Sequence, residues 1–252
     1  MDAQHELAAL AASQLEVVGR LTSASNLVLQ CRSAAGLCVY KPASGERPLW
    51  DYPGAVLAMH EVWAYELDAA LGWGLVPATV WRDDAPAGPG MVQTWMEYDP
   101  TSEVDVLLPG ELPGDWLPVL RGEDERGREV VVAHRDSERL ADIAVFDALI
   151  NNSDRKAGHL LGDDDAIVGI DHGVAFSPEP RLRTVLWGFA GRRLAERHVT
   201  ALERLLDDPP TLTGESGTGA REAVVQRAES LLTAGTFPQP APGWPVVPWP
   251  LW

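Results

Sequence analysis

Hydrophobic positions change period several times along the chain, and the changes predict an order of elements. Between residues 3 and 15, Leu7, Leu10 and Leu15 recur at roughly helical spacing in an Ala-, Leu- and Glu-rich run, which predicts a short amphipathic helix. Leu15 to Leu21, Leu27 to Arg32 and Leu37 to Lys41 carry strand patterning, with Ser33-Ala34-Ala35-Gly36 as a hairpin turn. Pro42 to Gly54 holds too many prolines and glycines for regular structure, yet Trp50 and Tyr52 need something to pack on, so an ordered loop is expected. A helix is predicted from about Ala58 to Leu71, stopped by Gly72. Strands are predicted at Leu75 to Val80 and Met91 to Met96, on either side of a turn at Asp83 to Gly90.

The second part is more helical. Residues 99 to 125 read as irregular, with apolar patches at Val104 to Leu108 and Trp116 to Leu120. Leu140 to Asn151, entered near Ser137, suits a buried helix, and later helices are predicted at Ala195 to Leu206 and Ala220 to Ala234. Between them, short strands around Leu160-Leu161 and Ile167 to Ile170 are joined by Gly162-Asp163-Asp164-Asp165. From Phe237 onward Pro and Trp dominate and predict an extended tail, with Trp244, Trp249 and Trp252 docking on the body or on a partner. No internal repeat is visible.

That hairpin concentrates chemistry. Its ends must come together, so Asp154 and His159 on entry should lie near Asp171 on exit. Two carboxylates and a third ligand would hold a divalent cation, and a cation bridging phosphate oxygens is a common requirement of phosphoryl transfer. The adjacent Asp163 to Asp165 run is read as a solvated turn, and His60, His134, His172 and His198 show no ligand spacing.

Composition narrows the partners. At 252 residues and 46% hydrophobic content the chain can build a substantial core. Its 20 basic and 37 acidic residues give a net charge of -17, which disfavours nucleic acid and stable membrane association. Met1 to Glu6 lack the features of a signal peptide and no run approaches the ~18 apolar residues of a membrane span, so a cytoplasmic protein is expected. Cys31 and Cys38 can face each other across a hairpin and are expected to be reduced. Gly-x-Ser-x-Gly, His-Glu-x-x-His and Cys-x-x-Cys are absent.

Asn151-Asn152-Ser153-Asp154-Arg155-Lys156, followed by Asp171-His172-Gly173, resembles the Asp-Arg catalytic loop and Asp-x-Gly metal motif of phosphatidylinositol 3-/4-kinase-related proteins, especially small bacterial, actinobacterial kinase-like members. HipA-type kinases are more distant relatives. The resemblance covers roughly residues 15 to 190. It implies an α+β, two-lobed protein-kinase-like fold with a small antiparallel-sheet N-lobe (1–98), a mainly helical C-lobe (99–238) and the tail (239–252).

The resemblance implies ATP with Mg2+ or Mn2+ as cofactors and transfer to a soluble small-molecule or protein acceptor. Asp154, with Arg155 and Lys156, would serve the acceptor, and Asp171 with His159 would ligate the metal. Lys41 in Val39-Tyr40-Lys41-Pro42 would hold phosphates, paired with Glu61 or, less favoured, Glu66. Ser23, Ser25 and Asn26 would form the phosphate-covering turn, and Gln93, Trp95 and Met96 the base pocket.

His159 stands where the family usually has Asn, and nitrogen suits manganese better than magnesium. The covering turn has a single glycine. A nucleotide-binding protein without transfer, or a nucleotidyl transferase, are the alternatives. Arg181, Arg183, Arg192 and Arg193 are expected to cluster as a clamp for an anionic substrate.

Overall fold

The computed structural model describes residues 3–22, 24–214, 216–243 and 245–252; Ser23 and Trp244 lie outside the described residues. Helix α1 (Ala3–Ala12) is followed by β1 (Glu16–Arg20), β2 (Leu29–Ser33), β3 (Gly36–Pro42), α2 (Leu57–Leu71), β4 (Thr79–Arg82) and β5 (Gly90–Thr94). These strands form one antiparallel sheet in the order β1-β2-β3-β5-β4. Leu10 of α1 packs with Leu15, Tyr40 and Val92 in a core of its own. Arg82 donates to the carbonyls of Leu10 and Ser13, holding the helix end with a cation where its carbonyls are unpaired. Cys31 and Cys38 sit opposite each other in the β2–β3 register as free, buried thiols, and burial pushes Cys31 up to about 11.

Helix α2 ends as its sequence indicates. Gly72 adopts φ 72° and its N–H bonds Asp68 O at 2.8 Å. The strand expected from Leu75 starts only at Thr79, for a local reason: Asp68 Oδ2 takes the N–H groups of Leu75 and Val76, and Pro77 has none.

The stretch read as irregular and the ten residues after it form a second antiparallel sheet, β6 (Val104–Leu107), β7 (Trp116–Glu123) and β8 (Glu129–Arg135), in the order β6-β8-β7. Its two apolar patches are β6 and β7. Alternation in β7 is broken by a register shift between Pro118 and Leu120, and β8 is apolar on both faces from Val131 to Ala133, so neither shows a clean strand period. Helix α3 (Glu138–Ile150) is capped by Ser137 Oγ and ends at Asn151, φ 55°. It runs through the main core with α2, α4 (Glu196–Asp207) and α5 (Gly217–Ala234). No helix among the described residues is long and apolar enough to cross a membrane.

Between α3 and α4 the hairpin of β9 (Leu160–Leu161) and β10 (Val168–Gly169) forms as expected. Arg155 organises it. Its side chain is fully buried, pairs with buried Asp147 on α3 at 2.9 Å, and donates to the carbonyls of His159 (3.2 Å) and Ile170 (3.0 Å). A further contact reaches His172 Nε2 at 2.8 Å. Arg155 was expected to serve the acceptor; buried inside this network it can only position the chain.

Two predictions follow from this packing. A Cβ at Gly90 would lie 2.4 Å from the Lys41 carbonyl oxygen and 2.7 Å from Pro42 Cα, forcing β5 off β3. Gly90→Ala should therefore cost ~1–3 kcal/mol in urea unfolding. Asp147→Ala leaves the Arg155 guanidinium buried without its counter-charge and should cost ~3–5 kcal/mol, read from the same unfolding curves.

Candidate functional site

The outer sheet, α2 and the β9–β10 hairpin meet around one lysine. Lys41 lies in β3 between β2 and β5. Its Nζ donates to Glu61 Oε1 at 2.6 Å and to Asp171 Oδ1 at 2.7 Å. Glu61, one turn into α2 and 1% exposed, also accepts the His172 N–H on Oε2 at 2.8 Å. One carboxylate thus ties strand, helix and the Asp171-His172-Gly173 turn together. Glu66 is engaged elsewhere, by the N–H and hydroxyl of Thr213. His60 Nδ1 meets the Gly173 carbonyl at 2.8 Å and burial lowers that imidazole to about 4, so it is a neutral packing residue.

Asp171 itself is 48% exposed on its side chain and adopts φ 59°. The Lys41 ammonium holds its carboxyl far below the usual range, against the opposing effect of burial. Burial works against the Lys41 charge too, but Asp171 and Glu61 outweigh it and raise the ammonium above its ordinary value. Burial raises the Glu61 carboxyl, with Lys41 opposing. His159 Nε2 stands 3.3 Å from Asp171 Oδ2, and burial lowers the imidazole to about 4, so it is neutral near pH 7 and able to ligate. Its Nδ1 is buried with no hydrogen-bond partner.

Asp154 is delivered by the turn that leaves α3. Asn152 Oδ1 takes the Asp154 N–H at 3.0 Å, while Asn152 Nδ2 donates to Asp147 at 2.9 Å. Ser153 Oγ contacts Tyr52 Oη at 2.9 Å, which is what the aromatic in the Pro/Gly-rich loop packs on. Burial raises the Asp154 carboxyl, opposed by Lys156 Nζ at 3.3 Å. The cluster of two carboxylates and a third ligand expected from the sequence is not formed. Asp154 is turned to Lys156, and no three His, Cys, Asp or Glu side chains among the described residues converge to hold a metal. Asp171 and His159 supply one carboxylate and one neutral imidazole; a cation there would take its other ligands from a bound molecule or water.

Above these groups opens a cavity of about 310 Å3. Leu21, Ala24, Val28 and Val39 form one wall, Gln93 to Met96 and Tyr98 another, and Leu161, Ile170, His159, Lys41 and Asp171 the floor. Trp95 and Met96 line it as expected. Gln93 also borders it, but its amide is buried and donates to Thr79 Oγ1 at 2.8 Å. Ser25 and Asn26 do not line it: Ser25 is exposed, and Asn26 Oδ1 accepts the Arg47 N–H at 2.9 Å. The apolar lining was missed, although Val39 lies two residues from Lys41 on the same strand face and Ile170 directly precedes Asp171.

The predicted arginine clamp is divided. Arg181 pairs with Asp51 and Glu179, Arg183 Nε donates to Ser153 O at 2.5 Å, and Arg192 pairs with Asp136 at the start of α3. Asp163 accepts from Thr101 and Ser102, as befits a structural turn. A larger cavity, about 600 Å3, lies between α5 and Pro178 to Leu182. The one charged residue among its described lining, Arg227, donates to the carbonyls of Leu149, near the end of α3, and of Ser177, so no titratable groups converge there. Convergent charge, not volume, makes the smaller cleft the candidate site.

No protein-family model matches the chain. Among solved structures, the Helicobacter pylori proinflammatory kinase CtkA aligns with a TM-score of 0.44 and 10% identity, over 90% of this chain and 94% of that one. Protein Rv2133c of Mycobacterium tuberculosis is 44% identical over 265 residues, 97% of this chain and 95% of its own. At that identity and coverage, the chain belongs to the same family as Rv2133c.

Proposed function

We propose that this chain is an ATP- and divalent-metal-dependent phosphotransferase with a two-lobed kinase-like fold, acting on a soluble small-molecule or protein acceptor. The observation that carries the reading is Lys41 bonded to both Glu61 and Asp171 on the floor of an apolar-walled cleft. Val28, Val39 and Leu161 line the cavity with Lys41; a flat apolar base would lie against the first three and its phosphates would face the ammonium. Glu61 holds that ammonium in place, as a carboxylate behind a phosphate-binding lysine must.

Asp171 and His159 would hold the divalent cation, which when bound supplies neutralisation of phosphate charge. The imidazole donor favours manganese over magnesium. Asp154 would accept the acceptor's proton; partial burial makes its carboxylate a stronger base than an exposed one. Lys156, 3.3 Å from it, is near enough to face negative charge on the acceptor oxygen as its proton leaves.

A second reading, a nucleotide-binding protein without transfer, draws on a specific feature. Both oxygens of Asp171 already have partners, Lys41 and His159, and binding a cation requires Lys41 to exchange Asp171 for phosphate.

Lys41→Met and Asp171→Asn should each weaken ATP–Mn2+ binding by ~10- to 100-fold in calorimetry, the loss expected for one charge-assisted hydrogen bond. Asp154→Asn should leave that affinity unchanged and lower turnover by ~100-fold or more. Absence of ATP binding with either metal would remove the reading. Binding without phosphate on any product would favour the second, and AMP on a product would indicate nucleotidyl transfer.

A further inference from the structure

Residues 245–252 lie against the loop that carries Asp154. The backbone N–H of Ala157 donates to Leu251 O at 2.8 Å. The Val246 carbonyl accepts the Trp187 indole N–H at 2.6 Å and the Thr184 N–H at 3.4 Å. Thr184 in turn belongs to the segment that flanks the loop: Arg155 N–H bonds Arg183 O and Val185 N–H bonds Arg155 O, both at 3.1 Å. The two attachment points therefore bracket Asp154 to Lys156, one through Thr184 and one through Ala157.

The attachment is built rather than incidental. Leu251 packs against the main core, Pro248 is buried, and the Trp252 backbone passes over Gly158, where an added Cβ would just reach van der Waals contact at 3.6 Å. His159 is tied to the hairpin, its carbonyl accepting the Ile170 N–H at 2.9 Å, whereas Lys156 only opens the 3-10 turn Ala157–His159. The Leu251 carbonyl supplies a bond that this turn cannot make for itself.

We propose that residues 246–251 are a strap that sets the position of Lys156, with Leu251 as its positioning residue. The role in turnover rests on the phosphotransferase reading; the strap itself does not. With the strap seated, Lys156 stays beside Asp154. Loosened, the chain at Lys156 and Ala157 gains freedom and the geometry of the acceptor side is lost, while His159 stays on the hairpin and the nucleotide side is kept.

The test compares the unchanged chain with Leu251→Ala, which shortens the core anchor, and Trp187→Phe, which removes only the indole donor to Val246. Two readouts are taken: amide hydrogen exchange, and ATP hydrolysis with Mn2+ using water as the acceptor. Exchange at the Ala157 amide should rise by about tenfold or more in Leu251→Ala, with β5 amides still protected. Turnover should fall ~10- to 100-fold with KM for ATP unchanged, the split expected for misplacement of reacting groups rather than lost binding. Trp187→Phe should move both in the same direction by less. Unchanged protection at Ala157, or a KM that rises in step with the loss of turnover, would overturn the proposal. If the unchanged chain does not bind ATP, the phosphotransferase reading fails, and Ala157 exchange alone decides the strap.

Discussion

A guanidinium with no exposed surface is the constraint on which the site depends. Placing the Arg155 charge in the interior costs several kcal/mol, and the Asp147 carboxylate offsets that only because every direction of the fork is also answered. The partners come from three places: Asp147 on α3, the carbonyls of His159 and Ile170 on the two sides of the hairpin, and His172 beyond it. No apolar residue could tie those segments together, since each offers a polar group to the fork. Gly169 belongs to the same arrangement, because a Cβ there would fall 3.0 Å from the guanidinium. Asp154 immediately precedes Arg155 and Asp171 immediately precedes His172, so pinning the two inner residues places the two outer carboxylates.

Electrostatics then decide which of those carboxylates is free to act. The chain carries a net charge of -17, yet Lys41 stands between two acids and makes the floor of the cleft locally compensated. Glu61 is fully committed, with both oxygens satisfied inside the fold. Asp171 is half exposed and can release Lys41 to a phosphate without leaving a buried charge alone, because a cation can take the lysine's place. Exchange is cheap at Asp171 and costly at Glu61, which assigns the first a changing partner and the second a fixed one.

Much of this was legible in the sequence because it is local. Asp154-Arg155 and Asp171-His172-Gly173 flank a short hairpin, and a hairpin of that length has one way to bring its ends together. Lys41, and Glu61 ahead of Glu66, were readable only through the resemblance, which expects a phosphate-binding lysine on the third strand and its acidic partner on the helix that follows. Asn26 shows the limit: a polar residue in a turn is equally suited to binding a phosphate or to accepting a backbone N–H, and it accepts that of Arg47. Arg155 misled in another way, since a charged residue inside a catalytic-type motif gives no sign that its counter-ion lies eight residues upstream on the buried face of α3. The β6–β8 sheet escaped because Pro118 interrupts one strand and the central one is apolar on both faces, which removes the period by which strands are recognised.

Asp171 joins the two networks at a single strained residue. At φ 59° it turns the chain so that its carboxylate faces Lys41 while the next N–H faces Glu61 and the next side chain faces Arg155. A left-handed conformation costs ~1–2 kcal/mol for a residue with a Cβ, and Asp tolerates it better than most. The bonds from Lys41, Glu61 and Arg155 hold that conformation together, and none of them holds it alone. When a ligand draws Lys41 away from Asp171, the turn keeps its shape through His172, because the Glu61 and Arg155 contacts do not involve the carboxylate that is released. The site can therefore change its ionic partners without rearranging its backbone, which is what the proposed exchange of Lys41 from Asp171 to a phosphate would require.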